Sequence, residues 1–253
     1  MWMTRVPSVA GEQPNVVHTN EVSVKTIGLL GGMSWESTVP YYQIINRAVG
    51  ERLGGLHSAK ILLYSVDFEE IESLQHADRW DEAGSRLSEA AAVLEEGGAE
   101  FLVLCTNTMH RVAPAIEARV RIPLLHIADP TAQAIRSAGL TNVGLLGTRF
   151  TMEQDFYRGR LVRRFGLEVQ VPDPSSRALV HRVIYEELCR GVISESSREG
   201  LRAVVSDLAS LGAQGVILGC TEIGLLLRPE DVSVPLFDTA LLHAEAAASL
   251  ALR

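Results

Sequence analysis

Phe101-Leu102-Val103-Leu104-Cys105-Thr106-Asn107-Thr108-Met109-His110 and Val216-Ile217-Leu218-Gly219-Cys220-Thr221-Glu222-Ile223 follow one pattern, a short apolar run that breaks into a polar turn. Such runs read as strands buried on both faces, the kind found in parallel sheets. Each string therefore puts a sulfur or hydroxyl group at the carboxyl end of a buried strand, the edge where open α/β sheets bind ligands. Two matched ends predict a site with a reactive group on either side of one substrate.

Working outward, strand and helix patterns alternate, which predicts a parallel α/β fold. The first strand is Thr26–Leu30, ending in Gly31-Gly32, and Ser34-Trp35-Glu36-Ser37-Thr38 opens an amphipathic helix carrying Tyr41, Tyr42, Ile44, Ile45, Ala48 and Val49. A strand over Lys60–Val66 and a helix over Arg79–Glu96 precede the strand that delivers Cys105 and Thr106. The second half repeats the order, with a strand over Asn142–Thr148, a helix over Met152–Phe165 and a strand over Leu167–Val171. Helices near 176–190 and 195–210 then lead to Cys220. Cys105 lies 74 positions after Gly31 and Cys220 lies 73 after Gly147. Even the exits match, Ile122-Pro123-Leu124 with Val234-Pro235-Leu236. An internal repeat of about 115 residues is too long for a solenoid unit. It predicts two similar α/β lobes related by pseudo-twofold symmetry, with Thr106 and Cys220 on opposite walls of the cleft between them. The expected boundaries are a flexible leader over 1–24, a first lobe over 25–126 joined by a C-terminal helix over 239–253, and a second lobe over 127–238.

The bulk properties narrow the function classes. A chain of 253 residues, 47% hydrophobic and 21% charged, has the makings of an ordinary globular core. A formal net charge of −8 argues against a nucleic-acid surface. No apolar run reaches the ~18 residues of a bilayer span, and residues 1–24 hold no secretory h-region. Three cysteines without CxxC spacing fit a reducing, cytoplasmic compartment. Cys189, on a stretch Val183–Cys189 whose pattern predicts a helix, reads as an inert core thiol. Gly28-Leu29-Leu30-Gly31-Gly32 lacks GxGxxG spacing, no P-loop string occurs, and the histidines lack metal-ligand spacing.

With these strings in place, the chain resembles the aspartate/glutamate racemase superfamily, in its amino-acid racemase branch. The resemblance rests on Gly31-Gly32-Met33-Ser34-Trp35-Glu36-Ser37-Thr38, Asn107-Thr108-Met109-His110, Leu146-Gly147-Thr148, Thr151-Met152 and Gly219-Cys220-Thr221-Glu222-Ile223, and spans residues 25 to about 245. It implies cofactor-independent racemisation of an acidic amino acid, aspartate or glutamate. In that scheme two opposed groups at the lobe junction exchange the α-proton. It also implies a homodimer, and no metal, nucleic-acid or membrane partner. The family's first motif is Cys-Asn-Thr followed by His. Here Thr106 stands at that cysteine, a departure that makes the two faces of the site unequal. By the resemblance the second-lobe thiol handles the L-enantiomer, so L substrates are expected to react better than D.

The chemistry gives each candidate a role. Removing an α-proton needs a strong positioned base, and the thiolate of Cys220 is the best one available, favoured by N–H groups where a helical turn begins. Thr106 is a poor base but can donate a proton. Cys105 is the alternative to it, although strand alternation turns neighbours to opposite faces. Thr106, Asn107, Thr108, Thr148 and Thr221 can donate to the α-carboxylate, with Met33 and Ser34 closing over the ligand. Helix capping is the competing role for Ser34 and Thr148. An acidic side chain calls for a cation; Arg52, Arg149, Arg158 and Arg160 are the options, with Arg158 and Arg160 in Tyr157-Arg158-Gly159-Arg160 preferred. His110, one turn after Thr106, either tunes the proton balance or packs the helix. Two other functions fit the same pattern: a hydantoin racemase or decarboxylase on this scaffold, or a binding protein for an acidic amino acid.

Overall fold

The computed structural model describes residues 24–253; the expected leader lies, apart from Val24, outside the described residues. The first half runs β1 (Ile27–Gly31), α1 (Trp35–Leu53), β2 (Ile61–Ser65), α2 (Phe68–His76), α3 (Trp80–Glu96), β3 (Phe101–Leu104), a 3-10 turn (Thr108–Val112), α4 (Ala113–Arg119), β4 (Leu124–Leu125) and α5 (Ala128–Ser137). The second runs β5 (Asn142–Gly147), α6 (Arg149–Glu153), α7 (Asp155–Phe165), β6 (Glu168–Gln170), α8 (Pro174–Glu186), a 3-10 turn (Leu188–Arg190), α9 (Glu195–Ser210), β7 (Val216–Gly219), α10 (Ile223–Leu226), β8 (Leu236–Asp238) and α11 (Thr239–Ala251).

The strands form two four-stranded parallel sheets, ordered β2-β1-β3-β4 and β6-β5-β7-β8. The order is the same in both, so the repeat seen in the residues is a repeat of topology. In each sheet the chain moves outward from its first strand to one edge, then returns to the other side. That reversal leaves a crevice at the carboxyl ends of β1 and β3 in one lobe, and of β5 and β7 in the other. Both crevices end in the singled-out turns. The β5–β7 pair comes close enough to require glycine: a Cβ on Gly147 would sit 2.7 Å from the Gly219 carbonyl oxygen.

The core explains why the strands read as unbroken apolar runs. In the second lobe Val143, Leu145, Ile217 and Leu218 are buried against α7, α8 and α9. The first sheet is covered on both faces. Leu30, Leu102 and Leu104 pack toward α3, while Ile27, Leu29, Phe101 and Val103 pack toward α1 and α11. The face of α11 is Ala240, Ala244, Ala247, Ala248 and Ala251, small enough for α1 to approach with Tyr41, Ile45 and Val49. Asp238 starts α11 by accepting the N–H groups of Ala240 and Leu241, a cap worth about 1 kcal/mol. The last helix thus crosses back from the second sheet to cover the first. Among the described residues no helix is long and apolar enough to cross a membrane.

Three details differ from the sequence expectations. The helix over Met152–Phe165 is two helices, because Gln154 takes an extended conformation (φ −94°, ψ 155°) between α6 and α7. Helix α2 was not anticipated; its start is set by Asp67, whose carboxylate accepts the Glu69 N–H. Cys189 lies on the 3-10 turn after α8, where the changed helical pitch redirects its side chain.

Candidate active site

Two glycine-containing turns and two strand ends converge between the lobes. Met33, Thr106, Asn107 and Thr108 from the first lobe line a cavity with Thr148, Cys220, Thr221 and Glu222 from the second. The cavity is tight, about 20 Å³, close to the space one water occupies. A wider open groove between α3 and α4, lined by Trp80 and Arg111, carries none of the strand-end groups.

The second-lobe wall is organised by Glu222, only 1% exposed. Its Oε1 accepts the Ser34 N–H (3.1 Å) and the Ser34 hydroxyl (2.8 Å) from across the cleft. Its Oε2 accepts the Cys220 thiol (2.9 Å) and the Thr221 hydroxyl (2.8 Å). One carboxylate therefore joins the lobes and holds the thiol. The sequence expectation was a Cys220 pKa lowered by nearby N–H groups. The structure reverses it. Burial pushes the thiol well above its usual range, and the Glu222 carboxylate adds to that. The helix beginning there, α10, has only four residues and little dipole to oppose those effects. At rest Cys220 is a thiol whose proton is directed at Glu222.

The first-lobe wall is organised by a neutral histidine. The Thr106 carbonyl accepts His110 Nδ1–H at 2.7 Å, and His110 Nε2 accepts the Ile127 N–H at 3.2 Å, which determines the tautomer. Behind it, His243 Nε2–H donates to the Leu125 carbonyl and His243 Nδ1 accepts the Tyr41 hydroxyl. His126 Nδ1 accepts the Ala128 N–H. Burial holds all three rings neutral: His110 well below the ordinary range, His126 down to about 3 and His243 down to about 4. His110 supports the turn that presents Thr106 and does not itself line the cavity.

Asn107 brings an unpartnered acceptor to the site. Thr239 donates its hydroxyl proton to the Leu218 carbonyl, so it must accept from the Asn107 amide NH2 at 2.9 Å. That orients Asn107 Oδ1 away from Thr239, and this buried oxygen has no partner among the described residues. A buried acceptor left unpaired costs about 1–3 kcal/mol, which a donor on a bound molecule would recover. Nearby, the hydroxyls of Thr108 and Thr148 meet across the cleft at 2.9 Å, with Thr151 Oγ 3.2 Å from Thr148 Oγ. Thr148 also caps α6 through the Thr151 N–H, so the capping and site roles coexist.

Several expectations need correction. Ser34 does not line the cavity; its donors are turned to Glu222, which holds that wall in place. Arg158 is exposed on α7 and lies outside the cavity, because the helical period turns it to solvent while Tyr157 and Leu161 face the core. Arg160 is bound to Asp129 through two hydrogen bonds, 2.6 and 2.8 Å. Cys105 is fully buried in the α1–α11 core and does not line the cavity, as strand alternation anticipates. Cys189, taken as inert, lines the cavity with its Sγ 3.9 Å from Glu222 Oε1. Sequence reasoning also missed Glu222, Phe68, Gln75, Ile184 and Tyr185, all of which line the cavity. Only Glu222 carried a signal, an acid two positions after the strand-end cysteine.

The family described as Asp/Glu/Hydantoin racemase matches residues 30–247. Among relatives, the broad specificity amino-acid racemase RacX of Bacillus subtilis is 24% identical over 222 residues, 85% of this chain and 92% of that one. A crystal structure described as a putative Asp/Glu racemase from Yersinia pestis is 58% identical with a TM-score of 0.84, covering 90% of this chain and all of that one. A crystal structure of an aspartate racemase homologue from Pyrococcus horikoshii is 35% identical with a TM-score of 0.77, over the same shares.

Proposed function

The chain belongs to the Asp/Glu/hydantoin racemase family, and on that premise we propose that it inverts an α-amino acid by moving the α-proton between Cys220 and Thr106 on opposite faces of the substrate. The observation that carries this proposal is that the two groups, one from each lobe, line the same small cavity. Amino-acid racemase relatives support the reaction class.

The groups divide the work by their surroundings. An ammonium group entering the cavity meets the unpaired Asn107 Oδ1 and the Glu222 carboxylate. Its positive charge favours the thiolate of Cys220. Glu222 Oε2, 2.9 Å from the sulfur, takes the thiol proton. The thiolate then removes the Cα proton, and the electron pair of that bond moves into the α-carboxylate. The Thr108 and Thr148 hydroxyls are positioned to donate to the enlarged charge on its oxygens. Thr106 delivers its hydroxyl proton to the opposite face; before the next turnover the resulting alkoxide takes a proton from solvent and Glu222 releases to solvent the one it took from the thiol. In the reverse direction Thr106 must act as a base, for which a hydroxyl is poorly suited, so the L form is expected to exchange faster than the D form.

The test is incubation with paired L- and D-amino acids in deuterated water. Loss of the Cα–H NMR signal and chiral chromatography are followed together. Exchange accompanied by inversion supports the proposal. Tight binding without exchange of any amino acid overturns it in favour of a binding protein.

A further inference from the structure

We infer that the site selects an α-amino acid whose side chain carries no charge. The inference rests on the racemase proposal for the orientation of the substrate, and it goes further by naming the side-chain class. Its basis is the distribution of charge around the cavity. Among the described residues Glu222 is the only carboxylate lining it, and no lysine or arginine does. A zwitterionic amino acid brings its own compensation, since its ammonium neutralises its carboxylate. Glu222 and the unpaired Asn107 Oδ1 can receive the ammonium, and the threonine hydroxyls the carboxylate. A second carboxylate, on the side chain, would find no cation.

The remaining walls reinforce this. Away from the strand ends the lining is Met33, Phe68, Ile184, Tyr185 and Gln75. Phe68 stacks on Tyr185 with ring centroids 6.4 Å apart and an interplanar angle of 13°. The Gln75 amide is already engaged at both ends: Nε2 donates to Met109 Sδ and Oε1 accepts the Tyr185 hydroxyl at 2.7 Å. None of Arg52, Arg149, Arg158 and Arg160 lines the cavity. Arg160 is held by Asp129. Arg149 is exposed beside Phe150, in a neighbouring surface groove it shares with Glu153. An ionised side chain would therefore lose its hydration against apolar and already bonded groups, while facing the negative Glu222.

The experiment compares isosteric pairs that differ only in charge: L-glutamine against L-glutamate, and L-asparagine against L-aspartate. Deuterium exchange gives kcat/KM for each, and calorimetry gives binding. The amide member of each pair is expected to exceed the acid by at least about tenfold. Equal or greater kcat/KM for the acid in either pair overturns the inference and leaves the racemase proposal standing. If no amino acid exchanges, the racemase proposal fails and binding decides the rest. Tighter glutamine than glutamate then supports the charge selection, and tighter glutamate or no binding of either overturns it. In Gln75→Lys, which installs an ammonium group in that wall, the glutamine-to-glutamate ratio is expected to fall at least about fivefold. An unchanged ratio in a folded variant counts against the inference.

Discussion

The ends of β3 and β7 occupy the same position in two sheets of identical strand order, yet they present opposite chemistries. At β7 a thiol is held by a buried carboxylate, which raises the cost of its anion. At β3 a hydroxyl sits on a turn supported by neutral, buried histidines, with no acid lining that wall. The two sheets repeat one topology, whereas the groups behind each strand end come from different, non-equivalent segments. Glu222 is steadied by Ser34, 188 positions away. His110 is steadied by Ile127, 17 positions away. A repeated topology therefore sets where chemistry can occur and leaves open what that chemistry is.

The sharpest way to break the comparison is Cys220→Ser. If the β7 end supplies the base, exchange into the L-amino acid falls by about a thousandfold or more; a fall smaller than tenfold would assign the base elsewhere. The histidines test the other wall. Because folding holds them neutral, the unfolded chain binds protons below about pH 6.5 that the folded chain excludes. Their contribution to stability is complete above that pH. It is lost as pH falls toward about 4 for His243 and about 3 for His126, with His243 alone worth about 3 kcal/mol. Thermal melts between pH 7 and pH 4 are expected to show Tm dropping through this window.

Glu222→Gln separates charge from packing at the β7 end. We expect kcat to fall about a hundredfold, since an amide cannot take the thiol proton. The pH midpoint for alkylation of Cys220 is expected to shift downward, since the carboxylate raises the thiol pKa and the amide does not. A midpoint that stays put would leave burial as the sole cause. Thr106→Cys makes the two ends alike, and exchange into the D-amino acid is expected to rise about tenfold relative to the L form. The smallest effect is assigned to Arg158→Ala, with turnover within about twofold of the parent because the side chain is exposed on α7.

Much of this architecture was readable from local pattern. Phe101–Leu104 and Val216–Gly219 are buried on both faces, as their unbroken apolar runs require. The alternation that sends Cys105 to the α1–α11 core and Thr106 to the cavity follows from backbone geometry alone. What failed was reasoning about environment. Arg158 looked suitable by charge, but its helical phase turns it to solvent. Cys189 looked inert on an assumed helix, but the 3-10 turn brings it to the cavity. Ser34 looked like a ligand contact, and it is instead a partner of Glu222.

Periodicity and turn chemistry act between near neighbours, so the residues alone sufficed for the strand ends and the internal repeat, and for bringing Thr106 and Cys220 to one cavity. The proton affinity of Cys220, the unpaired oxygen of Asn107 and the absence of a cation from the cavity lining required the folded chain. These properties depend on desolvation and on hydrogen-bond partners drawn from segments far apart in sequence, and they come into being only when the two lobes close on one another.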